Sequence, residues 1–470
     1  MPANKKPFAL GDIIKTNMEQ VKPFWSEKQK TIFVTSFFGL IGRNILATDF
    51  LKIIRSVENL RIVILTPEHK KDFYRQYFGS SNVIVEGVMD RFVSRIDNIF
   101  NSIFLNSLDS NSRKIHRLLE LKKDKRYSIF LYHLFLSKTV GKSKLFRLWL
   151  RWFYFNFIPS LRFSYLFAKY KPDLVFSTDI FDPDDVDLMK EAKKRRVFTV
   201  GMIRSWDSIT TKGLNKIIPD RLIVSTPGLK EEAACFNDIS QEDIHVVGIP
   251  HYDNYIKDRK LSRGEVFKKL NLDPTKKVVF FAPPSSIYSK DDPIAEMIVH
   301  TLKTLDVQLL LRLYIVGGVN LGQIKPAPNK IAIDDPGGEK NFSRADLILG
   351  DAHLVDLLYH SDVVVAFAST LAIDAIVFDK PVVFIGFDVT PKPYWESLCR
   401  FYDYDHQRAI LRTGGIRLAQ NTGELIEFVS MYLSNPKLDE DGRRKVIEER
   451  CWKLDGKSSE RLADIILKFL

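Results

Sequence analysis

The sequence has few cysteines and no long uncharged apolar run. Its 470 residues include three cysteines, Cys235, Cys399 and Cys451, which lie far apart and form no CxxC pair. A disulfide framework and a structural zinc site are therefore not expected, and a reducing cytoplasm is the natural setting. No segment offers about 18 consecutive uncharged apolar residues, and the N-terminal stretch lacks the apolar centre of a signal peptide. We therefore expect a protein that is neither secreted nor membrane-spanning.

Several enzyme motifs are also missing from the sequence. It contains no G-x-S-x-G elbow, Walker A loop, protein-kinase loop or HExxH pair, and the glycines of residues 36–50 do not form GxGxxG. Ser-His-Asp hydrolysis and a dinucleotide fingerprint therefore have no support. The five carboxylates of "DIFDPDDVD" (179–187) are predicted to cap the next helix rather than to bind a divalent metal. We expect neither a metal site nor a cofactor.

The order of apolar runs predicts two α/β domains. Short β-rich runs such as "TIFVTSFF" (31–38) and "DLVFST" (173–178) alternate with helical segments, which indicates parallel sheets covered on both faces. The pattern restarts at "VVFFAPP" (278–284), so we place a boundary near residues 255–275. The prediction is two Rossmann-like, doubly wound domains, 1–260 and 261–450, that face a central cleft. A C-terminal helix is predicted within residues 451–470, and it could cross back onto the first domain.

Positive charge is concentrated in one segment of the first domain. The formal net charge is +12, and residues 111–170 carry 14 Lys and Arg against Glu120 and Asp124, which equals the whole excess. Aromatic residues crowd the same stretch, as in "KLFRLWLRWFYFNFIPSLRFSYLFAKY" (144–170). This mixture suits an anionic membrane surface, and an amphipathic helix packed on the first sheet with a solvated basic face explains it equally well. We expect no nucleic-acid partner.

A candidate phosphate site lies in the second domain, in "ASTLAID" (368–374). Ser369 and Thr370 come between an apolar strand and a helix, whose first N–H groups and dipole suit a phosphate. Asp374, further into the helix, is placed to reach a ribose hydroxyl, although an ordinary N-cap pair would give the same pattern. Four further donor contacts are predicted: Ser285 and Ser286 after the first strand of this domain, Arg312 within an apolar strand, and His406. Burying Arg312 is costly unless it is paired or faces an anion, and a lone histidine such as His406 is usually structural.

The acceptor side is predicted in the first domain, around "GMIRSWDSITTKG" (201–213). This polar connector follows an apolar strand, and its Asp207 is placed to act as general base on an acceptor hydroxyl. Lys212 is suited to neutralise phosphate. The acceptor contacts predicted here are Arg204, Ser205, Trp206 and Lys212, with Gly39, Arg43 and Asn44 of the first strand-to-helix turn, where Gly39 and Gly42 would permit a tight turn. A capped helix start with Trp206 in the core, and simple turn chemistry at Gly39, are the competing interpretations.

These segments resemble the GT-B fold of nucleotide-sugar-dependent glycosyltransferases. The nearest similarity is to the CDP-glycerol glycerophosphotransferase (teichoic acid polymerase-like) group and related surface-polysaccharide glycosyltransferases. Residues 361–384, "SDVVVAFASTLAIDAIVFDKPVVF", are similar without gaps to that family's "SDVLITDYSSxxFDxxxxDKPIIF". Likewise "WDSITTKGL" (206–214) resembles "WHGxxxKxxG", and "GIPHYD" (248–253) resembles "GxPRxD". The resemblance covers about residues 170–470 and implies that Ser369, Thr370 and Asp374 bind the donor's phosphates and sugar moiety.

The sequence departs from that family at two positions. Asp207 stands where the teichoic acid polymerases have a histidine proposed as base, and Arg312 is followed by "LYIVGG" instead of continuing a His-Pro-Arg element. These changes favour glycosyl transfer over glycerol-phosphate transfer. The expected protein is a cytoplasmic, membrane-peripheral and metal-independent glycosyltransferase that moves a sugar from a nucleotide-activated donor to a surface-glycan or lipid-linked acceptor. The alternatives are a CDP-glycerol or CDP-ribitol polyol phosphate transferase, a UDP-sugar 2-epimerase, and an inactive GT-B scaffold at the membrane.

Overall fold

The first of two parallel sheets is formed by strands from the N-terminal half of the chain. The structure is a computed structural model that describes residues 29–257, 260–285, 292–314, 319–336 and 352–470. The strands of the first sheet are β1 (Lys30–Thr35), β2 (Leu60–Pro67), β3 (Val83–Val88), β4 (Leu174–Ser177), β5 (Phe198–Met202), β6 (Arg221–Val224) and β7 (Ile244–Val246). Their order across the sheet is β3-β2-β1-β4-β5-β6-β7, with every neighbouring pair parallel. The order reverses between β1 and β4, which opens a crevice at the carboxyl ends of these two strands.

The second sheet repeats this plan with later strands. They are β8 (Val278–Ala282), β9 (Gln308–Arg312), β10 (Ile331–Asp334), β11 (Val363–Ala366), β12 (Val382–Ile385) and β13 (Ile416–Ala419). Their order is β10-β9-β8-β11-β12-β13, again with parallel neighbours, and it reverses between β8 and β11. The predicted α/β class with two Rossmann-like units is confirmed.

Helices connect the strands and cover both faces of each sheet. In the N-terminal half they are α1 (Asp49–Arg55), α2 (Lys71–Phe78), α3 (Arg95–Asn106), α4 (Asn111–Asp124), α5 (Tyr127–Lys138), α6 (Lys144–Phe157), α7 (Ser164–Tyr170), α8 (Pro183–Lys194), α9 (Ser208–Thr211), α10 (Pro227–Asn237) and α11 (Pro250–Lys257). Those that follow are α12 (Arg263–Lys269), α13 (Ile294–Leu302), α14 (Ala352–His360), α15 (Leu371–Val377), α16 (Asp405–Leu411), α17 (Thr422–Ser434), α18 (Glu440–Arg450) and α19 (Ser458–Lys468). Among the described residues, no helix is both long enough and apolar enough to cross a bilayer.

The last helix, α19, packs beside the first sheet. Leu462, Ala463 and Ile466 are buried in the same apolar cluster as β1 and β2. Asp253 of α11 accepts hydrogen bonds from the backbone N–H groups of Ser458 (3.0 Å) and Ser459 (2.7 Å), which satisfies free donors at the start of α19. The chain therefore returns to its N-terminal half after completing the second sheet. The domain boundary near residue 260 stays a prediction, and residues 258–259 lie outside the described part of the chain.

Some of the positive charge of residues 111–170 points inward. Nine of its Lys and Arg side chains are exposed, whereas Arg113, Arg117 and Arg151 are buried and Arg147 and Arg162 are half-buried. On α6, Arg147 and Arg151 both donate to the Asp238 carboxylate, at 2.8 and 2.9 Å. Burial alone would raise the pKa of Asp238, but the hydrogen bonds from Arg147 and Arg151 outweigh it and hold the pKa below the usual range. This charge cluster fixes α6 to the end of α10.

We expect Asp238→Asn to lower the free energy of unfolding by about 3 kcal/mol at pH 7, because the buried guanidinium of Arg151 and the half-buried guanidinium of Arg147 lose their counter-charge. Asp238 has a pKa below its ordinary value, so its stabilisation is complete above the ordinary value and disappears as pH falls through the lowered one. The difference between the variant and the wild type should therefore shrink in acid. Urea titration followed by tryptophan fluorescence measures it, since Trp149 and Trp152 lie on α6 itself.

The matched control for that experiment is Asp441→Asn. Asp441 pairs with Arg444 at an exposed position, with 83% and 66% of the two side chains accessible, so the change should cost less than about 0.5 kcal/mol. Equal losses in both variants would contradict the structural role given to Asp238.

Candidate functional site

The hydroxyls predicted to bind donor phosphate lie at the switch point of the second sheet. Ser285 follows β8 and Ser369 follows β11, the two strands between which the sheet order reverses. Ser369 Oγ accepts a hydrogen bond from the backbone N–H of Leu371 at 3.2 Å. Thr370 is exposed at the start of α15, and its side chain makes no capping bond to the helix. Open α/β sheets bind ligands in the crevices at such switch points. Ser286, the other serine predicted here, lies outside the described residues.

Asp374 has an intramolecular partner that the sequence did not predict. The Tyr252 hydroxyl donates to Asp374 Oδ1 at 2.7 Å. Tyr252 is buried on α11, and burial together with the Asp374 charge raises its pKa well above the usual value. The contact joins "GIPHYD" to "ASTLAID", two segments 122 positions apart. The predicted contact of Asp374 with a ribose hydroxyl stays a prediction and would share the carboxylate with Tyr252.

Arg312 is paired, as its position in an apolar strand requires. It lies at the end of β9 and forms an ion pair with Asp334 of β10. His353 Nε2 is 3.0 Å from the other oxygen of the same carboxylate. Burial would raise the pKa of Asp334, but His353 and Arg312 together hold it below the usual range. Since the charge of Arg312 is already balanced, its predicted contact with the donor stays a prediction.

Three segments of the first domain meet at the carboxyl edge of the first sheet. Asp179, buried directly after β4, accepts hydrogen bonds from Arg204 Nε at 2.9 Å and Lys212 Nζ at 3.1 Å. The Arg204 guanidinium lies 3.5 Å from the centroid of the Phe38 ring, a cation–π contact with the turn that follows β1. The sequence predicted Arg204 and Lys212 for the cleft but missed Asp179 as the carboxylate that holds them together.

Below this cluster, carboxyl groups line the first switch point. Asp185 is fully buried, accepts a hydrogen bond from Thr35 Oγ1 at 2.6 Å, and has its pKa raised well above the usual value by burial and by Asp182. Burial also raises the pKa of Asp182 to about 6. Asp182 accepts from the backbone N–H of Asp184 at 2.9 Å and so caps α8, as predicted for this acidic run.

The turn after β1 differs from the sequence expectation. Neither Gly39 nor Gly42 has a positive φ, so the turn does not use the conformational freedom of glycine. Gly42 instead begins a wide helical turn, Gly42–Leu46, which includes Arg43 and Asn44, two of the predicted acceptor contacts. Within it, Arg43 Nε donates to the Asn44 side chain at 2.8 Å. The acceptor contacts predicted for Gly39, Arg43 and Asn44 stay predictions.

Two other glycines are required by their backbone. Gly213, in the loop after α9, has φ +80°, and a Cβ there would lie 2.5 Å from Leu105 Cα. Gly248, at the start of "GIPHYD", has φ +91°, and a Cβ would lie 2.4 Å from Ser458 Oγ. Larger residues are excluded by both strain and space. Each glycine therefore holds a motif of the cleft against a distant helix.

Asp207 and His406 lie near each other, on opposite sides of the cleft. Asp207 precedes α9 and accepts a hydrogen bond from the Ser205 hydroxyl. Its neighbour Trp206 packs edge-on against His406 of α16, with ring centroids 4.8 Å apart. Burial lowers the pKa of His406, and the charges of Asp207 and Asp405 only partly offset this, so the imidazole is neutral at pH 7. His406 thus lies against the first-domain loop, and its predicted contact with the nucleotide stays a prediction.

A reciprocal hydrogen-bond pair fixes the two halves together beside this contact. Asp405 Oδ2 accepts from the backbone N–H and the hydroxyl of Ser112, at 2.7 and 2.9 Å. The Ser112 hydroxyl in turn accepts from the backbone N–H of Asp405 at 3.0 Å. Asp405 therefore satisfies donors at the start of α4, and Ser112 satisfies a donor at the start of α16. The basic helical segment is in this way attached to the second domain at the cleft.

Two Rossmann-like units with parallel sheets, in contact through pairs such as Trp206 and His406, have the architecture of the GT-B fold. A model of the family "CDP-Glycerol:Poly(glycerophosphate) glycerophosphotransferase" matches residues 219–468, more than half of the sequence, and the chain belongs to this family. The match includes Tyr252, Ser369, Asp374 and His406. It begins after Asp207, so the resemblance predicted for residues 206–214 lies outside it. No curated protein sequence matches the chain.

Solved structures share the fold at low sequence identity. UDP-GlcNAc 2-epimerase from Neisseria meningitidis bound to UDP-GlcNAc has 11% identity and a TM-score of 0.54, over 93% of this chain and all of that chain. The corresponding protein from Methanocaldococcus jannaschii has 13% identity and a TM-score of 0.51, over 93% and 99%. The wall teichoic acid polymerase TagF has 14% identity over 94% and 89%, and its TM-score of 0.49 is too low to add to the fold assignment. The fold and the family together make this chain a GT-B transferase.

Proposed function

We propose that this GT-B transferase moves a sugar from a nucleotide-activated donor to a hydroxyl of a cell-surface glycan or lipid-linked acceptor. The observation that carries the proposal is the placement of Ser285 and Ser369 on either side of the second switch point, with Thr370 exposed beside them. Hydroxyls at the carboxyl edge of a parallel sheet, beside a switch point, suit a diphosphate. They also stabilise a leaving phosphate without a metal ion, so activity should persist in excess EDTA.

Asp207 is the proposed general base. Asp179, the other carboxylate at this edge, has its Oδ2 occupied by hydrogen bonds from both Arg204 and Lys212. Asp207 is half-exposed, and its carboxylate is bonded by the Ser205 hydroxyl. In the proposed step an Asp207 oxygen takes the proton of the acceptor hydroxyl. At the same time the oxygen of that acceptor hydroxyl attacks the anomeric carbon of the donor sugar. The bond from that carbon to the donor phosphate breaks, and its electron pair leaves with the nucleoside diphosphate.

Polyol phosphate transfer is the second candidate, and the family match over residues 219–468 favours it. In that reaction the acceptor oxygen attacks phosphorus of a CDP-alcohol, and CMP leaves. The two candidates therefore differ in the nucleotide released: a nucleoside diphosphate from sugar transfer, a monophosphate from polyol phosphate transfer. The likeness to epimerases extends to the fold alone and does not favour isomerisation.

Nucleotide binding tests the donor half of the proposal. The experiment is a thermal-shift titration of the full chain with UDP, CDP, CMP, GDP and their sugar or polyol conjugates. A saturable rise in melting temperature with one diphosphate and its sugar conjugate is the expected result, because a ligand that binds only the folded state stabilises it. A chain that responds to none of these compounds would contradict a nucleotide-activated donor.

An anionic membrane surface at the inner face of the cell membrane is the proposed location of the acceptor. The support is on α5 and α6, where large apolar side chains are exposed: Tyr127, Leu131, Phe135, Leu145, Trp149, Trp152 and Phe157. Exposed cations flank them, including Lys125, Arg126 and Lys144. Aromatic rings settle at the bilayer interface and each nearby cation adds about 1 kcal/mol on an anionic leaflet. The attachment of α4 to α16 through Ser112 and Asp405 would bring this surface next to the cleft.

We expect Trp149→Glu/Trp152→Glu to lower the fraction of protein that sediments with vesicles rich in anionic lipid at low salt by at least fivefold. Two apolar contacts are replaced by charges that the headgroups repel. Tyr77→Glu is the control, since Tyr77 is an exposed aromatic on α2. If wild-type binding does not depend on anionic lipid, or if both variants lose it equally, this surface does not bind membrane.

A further inference from the structure

The hydroxyl of Tyr252 holds a carboxylate of the predicted donor site. Asp374 lies on α15, and its side chain is half-buried. Tyr252 donates to Asp374 Oδ1 at 2.7 Å from α11, the helix that follows the last strand of the first sheet. A carboxylate oxygen has two lone pairs, so Oδ1 can accept a second hydrogen bond while it keeps this one. The contact therefore orients Asp374 and leaves it able to accept from a ligand.

The ring of Tyr252 is itself fixed by aromatic packing. The His251 and Tyr255 rings lie 4.4 and 5.0 Å from it, measured between ring centroids. Tyr255 in turn stacks on Phe378 at 5.7 Å, with 11° between the ring planes. Phe378 directly follows α15, so these contacts attach α11 to the helix that carries Asp374. Packing thus sets the position of the hydroxyl, and the hydrogen bond does not have to order a free side chain.

The chemistry of this pair selects hydroxyl groups as the ligand of Asp374. Burial and the charge of Asp374 raise the pKa of Tyr252 well above its usual value, so the hydroxyl keeps its proton at neutral pH and donates it. Asp374 is therefore held as an acceptor. A carboxylate that presents acceptors suits a group that donates, such as a hydroxyl, and repels a phosphate.

Asp374 lies on the same side of α15 as an exposed hydroxyl of the proposed phosphate site. Thr370 has helical dihedral angles and precedes Asp374 by four residues, so the two side chains are neighbours along the helix. Their positions differ by about 6 Å along the helix axis, four residues at about 1.5 Å each. The ribose is the part of a nucleotide that directly follows the phosphate. A nucleotide whose phosphate binds at Thr370 therefore has its ribose within reach of Asp374.

We propose that Tyr252 is a positioning residue of the donor site, which holds Asp374 so that its carboxylate recognises the ribose hydroxyls of the nucleotide. The recognition of ribose rests on the proposed function, whereas the hold of Tyr252 on Asp374 is a contact of the structure. Without the Tyr252 hydroxyl, the Asp374 side chain is free to adopt other rotamers. The preference for a ribonucleotide over a deoxynucleotide thus depends on a residue that does not itself touch the ligand.

Calorimetry with ribose analogues tests this role. The full chain is titrated with the nucleoside diphosphate that the thermal-shift panel identifies, and with its 2′-deoxy and 3′-deoxy analogues. The wild type should bind at least one of the analogues about tenfold more weakly than the ribonucleotide, because that analogue lacks a hydroxyl for Asp374. Tyr252→Phe should weaken binding of the ribonucleotide about fivefold and leave binding of that analogue unchanged. A residue that only stabilises the fold would not change the ratio of the two affinities.

The matched control is Tyr432→Phe. Tyr432 is a buried tyrosine of α17 whose hydroxyl donates to the Asp439 carboxylate, also at 2.7 Å. It packs with Val363, whereas Tyr252 packs with Val364, so the two tyrosines lie on opposite faces of the second sheet. Tyr432→Phe removes the same kind of hydrogen bond and should keep both the affinity for the ribonucleotide and the ribose preference of the wild type.

A double-mutant cycle shows whether Tyr252 acts through Asp374. Asp374→Ala should lose the ribose preference, and adding Tyr252→Phe should then change neither affinity. Independent losses from the two changes, an equal loss for ribonucleotide and deoxynucleotide in Tyr252→Phe, or a wild type that binds all three nucleotides equally would each overturn the role of Tyr252 and leave the proposed function standing. A wild type that binds no nucleotide would contradict the proposed function and this inference together.

Discussion

Asp207→Asn should lower the transfer rate by two to four orders of magnitude and leave nucleotide affinity unchanged. Asparagine keeps the shape of the side chain and can still accept the hydrogen bond from Ser205, but it cannot take a proton. General-base catalysis typically contributes about 10² to 10⁴ in rate. The measurement is kcat from nucleotide release, with affinity for the same nucleotide determined by calorimetry.

The matched control for that variant is Asp72→Asn, because Asp72 is an exposed aspartate on α2 paired with Arg75. It should keep wild-type kcat. A loss of less than about threefold in Asp207→Asn would remove the role of base from this residue. A loss of nucleotide affinity equal to the loss of rate would instead make Asp207 part of the donor site.

Ser369→Ala/Thr370→Ala should weaken binding of the donor nucleotide at least tenfold and raise the donor KM by a similar factor. Hydrogen bonds to charged groups contribute about 1.5–3 kcal/mol each, and the variant removes both hydroxyls that we propose to bind the phosphate. The folded state should lose little, since Thr370 makes no capping bond and Ser369 bonds one backbone N–H group at 3.2 Å. Calorimetry with the nucleotide identified in the panel measures the change.

Ser56→Ala is the control, because Ser56 is an exposed serine that bonds its own helix end. Its nucleotide affinity should equal that of the wild type. An unchanged affinity in the double variant would return Ser369 and Thr370 to the role of an ordinary helix start and place the donor phosphates elsewhere.

Much of the architecture was predictable from local pattern. The runs "TIFVTSFF" and "DLVFST" became β1 and β4, and the restart at "VVFFAPP" became β8, because strands buried on both faces must be apolar along their whole length. The apolar strand predicted around Arg312 is β9, which ends at that residue. There the side chain turns to its ion pair with Asp334.

The site was less predictable, because its contacts join residues that are far apart in the chain. The bond of Tyr252 to Asp374 spans 122 positions and that of Ser112 to Asp405 spans 293. Both depend on how the two sheets are placed, which no local pattern encodes.

The buried position of Arg151 on α6 was likewise not predictable from the sequence. A basic residue on an amphipathic helix is normally assigned to the solvated face, yet Arg151 is buried with Leu150 and Tyr154. Its position becomes understandable only once Asp238, 87 positions later, is known to lie opposite. The aromatic residues of 144–170 left membrane contact and packing on the first sheet both open, and on α6 Trp149 and Trp152 are exposed.

Donor turnover with and without acceptor tests the central claim most directly. The full chain is incubated with each nucleotide sugar and CDP-alcohol, with and without a lipid-linked glycan acceptor, and the nucleotide and glycan products are resolved by mass spectrometry. The prediction is acceptor-dependent release of a nucleoside diphosphate, with a matching gain of one sugar on the acceptor. Release of CMP with transfer of a polyol phosphate, isomerisation of free donor, or no turnover of any donor would contradict it.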